Sequence, residues 1–430
     1  MRDTILRGGI VLDPESGFQD TADVLIRGNE IEEIGRDIRA RGAEEIEVDG
    51  LYVLPGLIDM HVHLREPGQE DKETIETGRL SAVKGGFTSI VCKANTGQII
   101  DRPEMVDFIH FRAEETPGPN VFPVGAVTKS LKGRWLAMIG EMARAGVVAL
   151  SDDGSSVYDT EMMREALLYA KRFNLPVISH TEDTTLTEGG SINAGFISFR
   201  MGLEGIPAES ERIHITRDCL LARDTGAKLH IAHCSTRKGI EEVKKAKRNG
   251  IDVTVETAPH YFALNEEAVG DFETNAKMKP PLRSEDDRQA VVKALKEGDI
   301  DIISSDHAPH TIPDKDTVFE LASFGIVGLE TTLSLIITYL IEPGTISPLK
   351  AFSYITYKPA DRLGLDKKGR LREGFDADIT VIDMNREVIF DTFVSKGQNS
   401  PFRGKRLNGR AEYVFVGGKI VLKRGELVYG

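Results

Sequence analysis

His61 and His63 stand one residue apart in Gly56-Leu57-Ile58-Asp59-Met60-His61-Val62-His63-Leu64-Arg65, at the end of an apolar run. Residues i and i+2 of an extended strand face the same way. Both imidazoles therefore project to one side, where they can hold one metal ion, and Arg65 adds fixed positive charge beside them. Other short apolar runs also end in ligand-type residues: Ser151-Asp152-Asp153-Gly154, His180, His233, and Asp306 within Ser304-Ser305-Asp306-His307-Ala308-Pro309-His310. Neutral imidazoles with one or two carboxylates suit zinc or a similar divalent ion and leave room for water. Of the two adjacent acids only one should face the metal. Asp153 is the choice, although either acid could instead cap the following helix. A lone histidine at a strand end is more often a hydrogen-bonded structural residue, but the His61/His63 pair is hard to explain by packing. His180 and His233 gain weight from their shared position. His110 reads as a surface residue, His214 and His230 as structural ones, and His260 as a residue bordering the pocket.

These residues need a scaffold that brings strand ends together. Eight short apolar strands are expected at Leu57–His63, Thr88–Cys92, Val121–Val124, Val147–Ser151, Pro176–His180, Lys228–His233, Asp252–Glu256 and Asp301–Asp306. Amphipathic stretches such as Glu161–Lys171 separate them, and Gly85-Gly86 marks a turn before the second strand. Eight strand-helix units predict an α/β fold, a (β/α)8 barrel, which typically needs ~250 residues. A doubly wound open sheet is the alternative. In such barrels the active-site groups sit at the C-terminal ends of the strands, which is where the histidines and acids fall. Residues 1–55 and 366–430 instead alternate and turn like short β-strands, as in Thr4–Leu12 and Tyr413–Val421, and predict a small β-sandwich built from both termini around a barrel at 56–365. The polar segment Thr311–Thr317, just past the last strand, is expected to be a mobile loop over the site.

Bulk properties narrow the partners. A net charge of −14 over 430 residues disfavours nucleic acid and anionic membranes. No apolar run approaches the ~18–20 residues that span a bilayer, and no cationic-then-apolar leader opens the chain. Three scattered cysteines, Cys92, Cys219 and Cys234, fit a reducing cytoplasm better than a disulfide framework.

The motifs resemble a known family. Asp59-Met60-His61-Val62-His63-Leu64-Arg65-Glu66-Pro67-Gly68 is similar to the opening signature of the dihydroorotases, within the amidohydrolase superfamily, and Ser305–His310 resembles their second signature. His180-Thr181-Glu182-Asp183, Ile231–Thr236 and Phe324–Thr331 follow in the family's order, and the likeness covers essentially the whole chain. It is closest to the class I bacterial form, in which an Asp replaces a carboxylated lysine. No Lys occurs in 147–156, in agreement. The resemblance implies reversible cyclisation of N-carbamoyl-L-aspartate to L-dihydroorotate, a step of pyrimidine synthesis, with one or two zinc ions held by His61, His63, Asp153, His180, His233 and Asp306. It implies Asp306 as general base and then acid, and His63, Arg65, Asn95, Lys279, His310, Phe324 and Gly325 as substrate-binding positions. A homodimer, or association with aspartate transcarbamoylase, is also within what it implies. Two departures bear on substrate identity: Lys93-Ala94-Asn95-Thr96 stands where the family has Met-Pro-Asn-Thr, and Lys279 stands where it has Asn before Pro-Pro-Leu-Arg. The other readings are a hydantoinase or allantoinase, and a non-catalytic scaffold, which would be expected to lack metal-ligand residues.

Overall fold

The computed structural model describes residues 3–428. Eight parallel strands follow one another in a single sheet: Leu57–Val62, Phe87–Cys92, Asn120–Gly125, Ala149–Leu150, Val177–Ser179, Leu229–Ile231, Val253–Thr257 and Ile302–Ile303. The sheet closes on itself. Val62 pairs with His307 in parallel, and the His63 N–H donates to His307 O at 2.9 Å. The closed barrel replaces the open-sheet alternative, and each expected strand is present, shifted by a few residues at its ends.

Strand alternation builds the barrel interior. Met60, Val91, Val124, Ala149, Ile178, Ala232 and Ile302 form one buried apolar layer. On the outward side Ile90, Val121, Leu150, Val177, Leu229, Val253 and Ile303 join the larger core under the helices. Cap chemistry sets where the helices begin. Thr74 and Thr77 form a capping box at Ile75–Lys84, Asp159 accepts from Met162 N–H at Thr160–Lys171, and Thr236 accepts from Gly239 N–H at Arg237–Arg248. Gly86, at φ 89°, makes the expected turn into the second strand.

Both chain ends build the second sheet. Tyr52–Pro55 pairs in parallel with Thr4–Asp13 and antiparallel with Ile379–Ile389, so one nine-stranded sheet draws strands from each terminus. Leu6, Val11, Val24, Val53, Ile379, Val381 and Phe415 fill its core. The stretch after the last barrel strand departs from the expected loop. Ile312–Lys315 is a short helical turn, with Thr311 and Asp314 closing a capping box. Lys315 anchors it from below, its Nζ donating to Ser323 O (2.8 Å) and Gly325 O (3.1 Å).

Candidate active site

The C-terminal rim of the barrel gathers the residues singled out from the sequence. His61 Nε2 lies 3.2 Å from Asp153 Oδ2 and 3.3 Å from Asp306 Oδ1, and His63 Nε2 lies 3.4 and 3.5 Å from the same two oxygens. Among these, His61, His63 and Asp306 form one candidate metal-holding group, and His61 and Asp153 join His233 in another. Asp153 also faces the next two histidines: its Oδ1 is 3.7 Å from both His180 Nδ1 and His233 Nε2. These two nitrogens are themselves 2.8 Å apart. His61 Nε2 and Asp153 Oδ1 are buried with no hydrogen-bond partner, the condition of atoms shaped to meet a cation. Imidazole nitrogens with carboxylate oxygens, all buried and converging, fit a divalent metal ion.

Neighbouring acids fix how these donors point. Glu256, on the seventh strand, accepts from His61 Nδ1 at 2.6 Å, which leaves His61 Nε2 as the free lone pair. Ser304 Oγ donates to the other oxygen of Glu256 at 2.7 Å, and His230 Nε2 lies 3.2 Å from it. Asn95 Oδ1 accepts from His63 Nδ1 at 2.8 Å, and Glu182 Oε2 accepts from His180 Nε2 at 3.1 Å. Asp59 accepts from Ser305 N–H and His61 N–H, tying the first strand to the eighth, and burial pushes its carboxyl up to about 7. Asp152 turns away from the cluster: its Oδ1 accepts from Val127 N–H (2.8 Å) and Thr128 N–H (3.0 Å), holding the loop after the third strand rather than capping a helix. Burial alone would raise the Asp306 carboxyl, but the His61 and His63 imidazoles beside it hold it below the ordinary carboxylate range. Arg65, His233 and Asp306 all take left-handed backbone angles (φ 63°, 34° and 50°), strain of the kind that concentrates where side chains are aimed for function.

Arg65 is the most informative group at the rim. It is 9% exposed, its Nε donates to Pro309 O at 3.2 Å, and among the described residues no carboxylate lies within ion-pair distance. His310 Nε2 is 3.4 Å from its Nη2, but that nitrogen already donates to Phe324 O at 2.8 Å. Burial draws the guanidinium down to about 10. The Asp306 and Asp153 charges reach it without forming an ion pair; a desolvated cation so incompletely paired is costly, and an anionic ligand would relieve it.

The remaining expected residues separate by what they touch. Lys279 pairs with Glu182 Oε1 at 2.8 Å, its Nζ 5.4 Å from the centre of the Phe324 ring. Gly325, at φ 125°, packs so closely that an added Cβ would meet Ala308 at 2.7 Å and His310 Nε2 at 3.3 Å. His260 is buried beyond the seventh strand with Nε2 unpartnered, and the charges of Asp306, His233 and His61 reach it. His230 holds Glu256 as a structural residue, and His110 is half-buried on its helix. Sequence reasoning passed over Glu256, Asp59 and the orienting role of Glu182. An acid closing an apolar strand, as in Val253-Thr254-Val255-Glu256, was the readable signal for the first.

Barrel and rim cluster together define a metal-dependent amidohydrolase. Residues 50–239 match a dihydro-orotase-like family model, and 221–422 match an amidohydrolase family model. A dihydroorotase of Acetivibrio thermocellus is 45% identical over 426 residues, covering 99% of this chain and 100% of the relative. One of Citrifermentans bemidjiense is 47% identical over 420 residues, covering 97% and 99%. The chain belongs to the dihydroorotase family. In fold it is similar to the solved L-hydantoinase (dihydropyrimidinase) of Arthrobacter aurescens, with a TM-score of 0.90 at 24% identity over 100% of this chain and 98% of that one. No helix among the described residues is long and apolar enough to cross a membrane.

Proposed function

We propose that this chain interconverts N-carbamoyl-L-aspartate and L-dihydroorotate at the rim cluster, with zinc as the metal. The observation that carries the reading is the buried guanidinium of Arg65, with no ion pair among the described residues, at the rim where His61, His63, Asp153 and Asp306 meet. Hydantoin and allantoin offer the same cyclic amide but no free carboxylate to meet it. A divalent ion held by that group would polarise the amide carbonyl and make a water molecule acidic enough to attack near neutral pH.

The chain's own residues account for the rest. Arg65, with Asn95 and His310 at the same rim, binds the substrate carboxylate through charge-assisted hydrogen bonds and fixes which carbonyl faces the cluster. Asp306, kept anionic, takes the proton from the attacking water and returns it to the amide nitrogen as the ring C–N bond breaks; the reverse sequence closes the ring. Glu256 and Asn95 hold the His61 and His63 rings, and His180 is held in turn by Glu182. Phe324 and Gly325 shape the wall against His310. Lys279 acts on the substrate side through its link to Glu182. A cytoplasmic setting, a homodimer and an association with aspartate transcarbamoylase go with this reading through the family resemblance.

The test compares ring opening of dihydroorotate, hydantoin and allantoin by the purified chain, with zinc content measured on the same preparation. Dihydroorotate should be turned over far faster than the others, and activity should track zinc. Equal or faster turnover of hydantoin or allantoin would reject the assignment.

A further inference from the structure

Ile379–Ile389 and Arg406–Val416 pair in the second sheet, but the chain between them leaves that sheet and reaches the rim of the barrel. Glu330 holds this strap, accepting from Val394 N–H at 2.8 Å and Ser395 N–H at 3.2 Å, and Ser395 Oγ donates to the buried Glu73. Gln398 folds it into a closed turn. Its Oε1 accepts from Phe393 N–H (3.0 Å), and its Nε2 donates to Phe393 O (3.1 Å) and Ser395 O (2.9 Å). The next residue, Asn399, is 4% exposed and directs its whole carboxamide at the rim. Its Oδ1 accepts from His310 N–H at 3.0 Å, while its Nδ2 donates to Ala308 O at 3.1 Å and Gly325 O at 3.0 Å. Its backbone O accepts from Val327 N–H at 2.9 Å. A planar amide offers two donors and an acceptor in fixed directions, so these partners also fix which way round it sits.

We propose that Asn399 is a positioning residue for the substrate: it acts through the Pro309–His310 peptide to aim Arg65 and His310. The inference rests on the reading of those two residues as the groups that bind the substrate carboxylate. The peptide joining Pro309 to His310 is planar and trans, so its N–H and C=O point opposite ways. Asn399 holds the N–H, and the C=O therefore faces Arg65, whose Nε donates to it at 3.2 Å. Ala308 O, on the other side of Pro309, is pinned by the same carboxamide. With no ion pair among the described residues, the Arg65 head takes its direction from the Pro309 carbonyl and the His310 ring beside it. The contact to Gly325 O ties this segment to the opposite wall, where His310 Nε2 donates to Phe324 O at 2.8 Å. One side chain from the terminal sheet's connection thus sets the spacing of three substrate-facing segments. Gly397 shows how closely the strap is fitted: an added Cβ there would meet Pro309 Cβ at 2.7 Å and Asn399 Oδ1 at 2.8 Å.

The experiment separates binding from turnover in the full-length chain. Asn399→Ala should raise KM for dihydroorotate about tenfold and leave kcat within about threefold, because the carboxylate is held alike in ground and transition states. A merely structural role would lower the active fraction instead, which reduces kcat and leaves KM alone. In an Arg65→Met background the same substitution should raise KM by no more than about threefold, since the main group it aims is gone. Gly397→Ala, which wedges the strap away from Pro309, should raise KM in the same direction and serves if Asn399→Ala does not fold. An unchanged KM in these variants, or an equal rise with and without Arg65, would overturn the proposal. If Arg65→Met by itself leaves KM unchanged, that result brings down the carboxylate reading on which the inference stands, and it is distinct from the other two.

Discussion

Replacing Arg65 by Met removes a charge while keeping an unbranched side chain in a buried slot, and the structure sets the size of both consequences. Truncating one partner of a desolvated charge pair costs about 2–5 kcal/mol. At ~1.36 kcal/mol per tenfold, kcat/KM for dihydroorotate should fall by a factor of about 30 to about 5,000. The carboxylate is present in both ground and transition states, so much of the loss should appear in KM. Folding responds in the opposite sense. The guanidinium is drawn from 12.5 to about 10 by burial, so holding it charged at neutral pH costs the folded state about 3 kcal/mol. The lost bond to Pro309 O is worth only about 1 kcal/mol. The left-handed backbone at position 65 strains either side chain alike. Arg65→Met should therefore melt at or above the wild-type temperature without substrate while losing activity. Steady-state kinetics with dihydroorotate and a calorimetric scan of the same samples decide it. A kcat/KM within threefold of wild type, or a clearly lower melting temperature, would refute the view of Arg65 as a cation held ready for the substrate.

Glu256→Gln should weaken zinc binding by about 10–100-fold, because Glu256 fixes the tautomer and angle of His61 and such supporting partners carry effects of that size. Chelator competition at constant pH reads it, and unchanged affinity would mean that the His61 ring is held by packing alone. Glu330 predicts a pH effect. Its Oε1 accepts from Ser81 Oγ, Val394 N–H and Ser395 N–H, yet burial pushes the carboxyl from 4.5 up to about 7. A carboxyl raised on folding binds its proton more tightly in the native state. Its contribution is thus full below pH ~4.5 and is lost as pH rises through ~7, about 3 kcal/mol in all. Glu330→Gln keeps the three acceptor contacts without the charge. Urea unfolding between pH 5 and 8 should show a decline in the wild type that the variant lacks, and parallel slopes would sink the explanation.

Legibility followed sequence distance. The His61/His63 pair was readable because period-two alternation is local, and the eight strands were readable because each is a short apolar run of its own. The choice of Asp153 over Asp152 was made on the expectation that only one would face the metal. What separates them in space is the third-strand loop, whose Val127 and Thr128 amides take the Asp152 carboxylate and leave Asp153 to the imidazoles. Ile312–Lys315 looked like open loop because its polar composition hides the burial of Lys315, which depends on carbonyls 8 and 10 residues away. Lys279 marked a departure in the motif, but its pairing with Glu182 crosses from one barrel loop to another and has no signature in either segment.

By itself the sequence determined the class of chemistry: which side chains can bind a cation, which strands carry them, and that each stands at the strand end where a parallel barrel opens. Only the closed barrel decided the environment of each group. Glu256 meets His61 across 195 residues, and among the described residues Lys93 Nζ is buried without a hydrogen-bond partner and Arg65 is buried with no acid within ion-pair distance. The physical reason is that a side chain's identity is a local property. Its charge state, the direction of its lone pair and the cost of leaving it unpaired depend on what the rest of the chain packs around it.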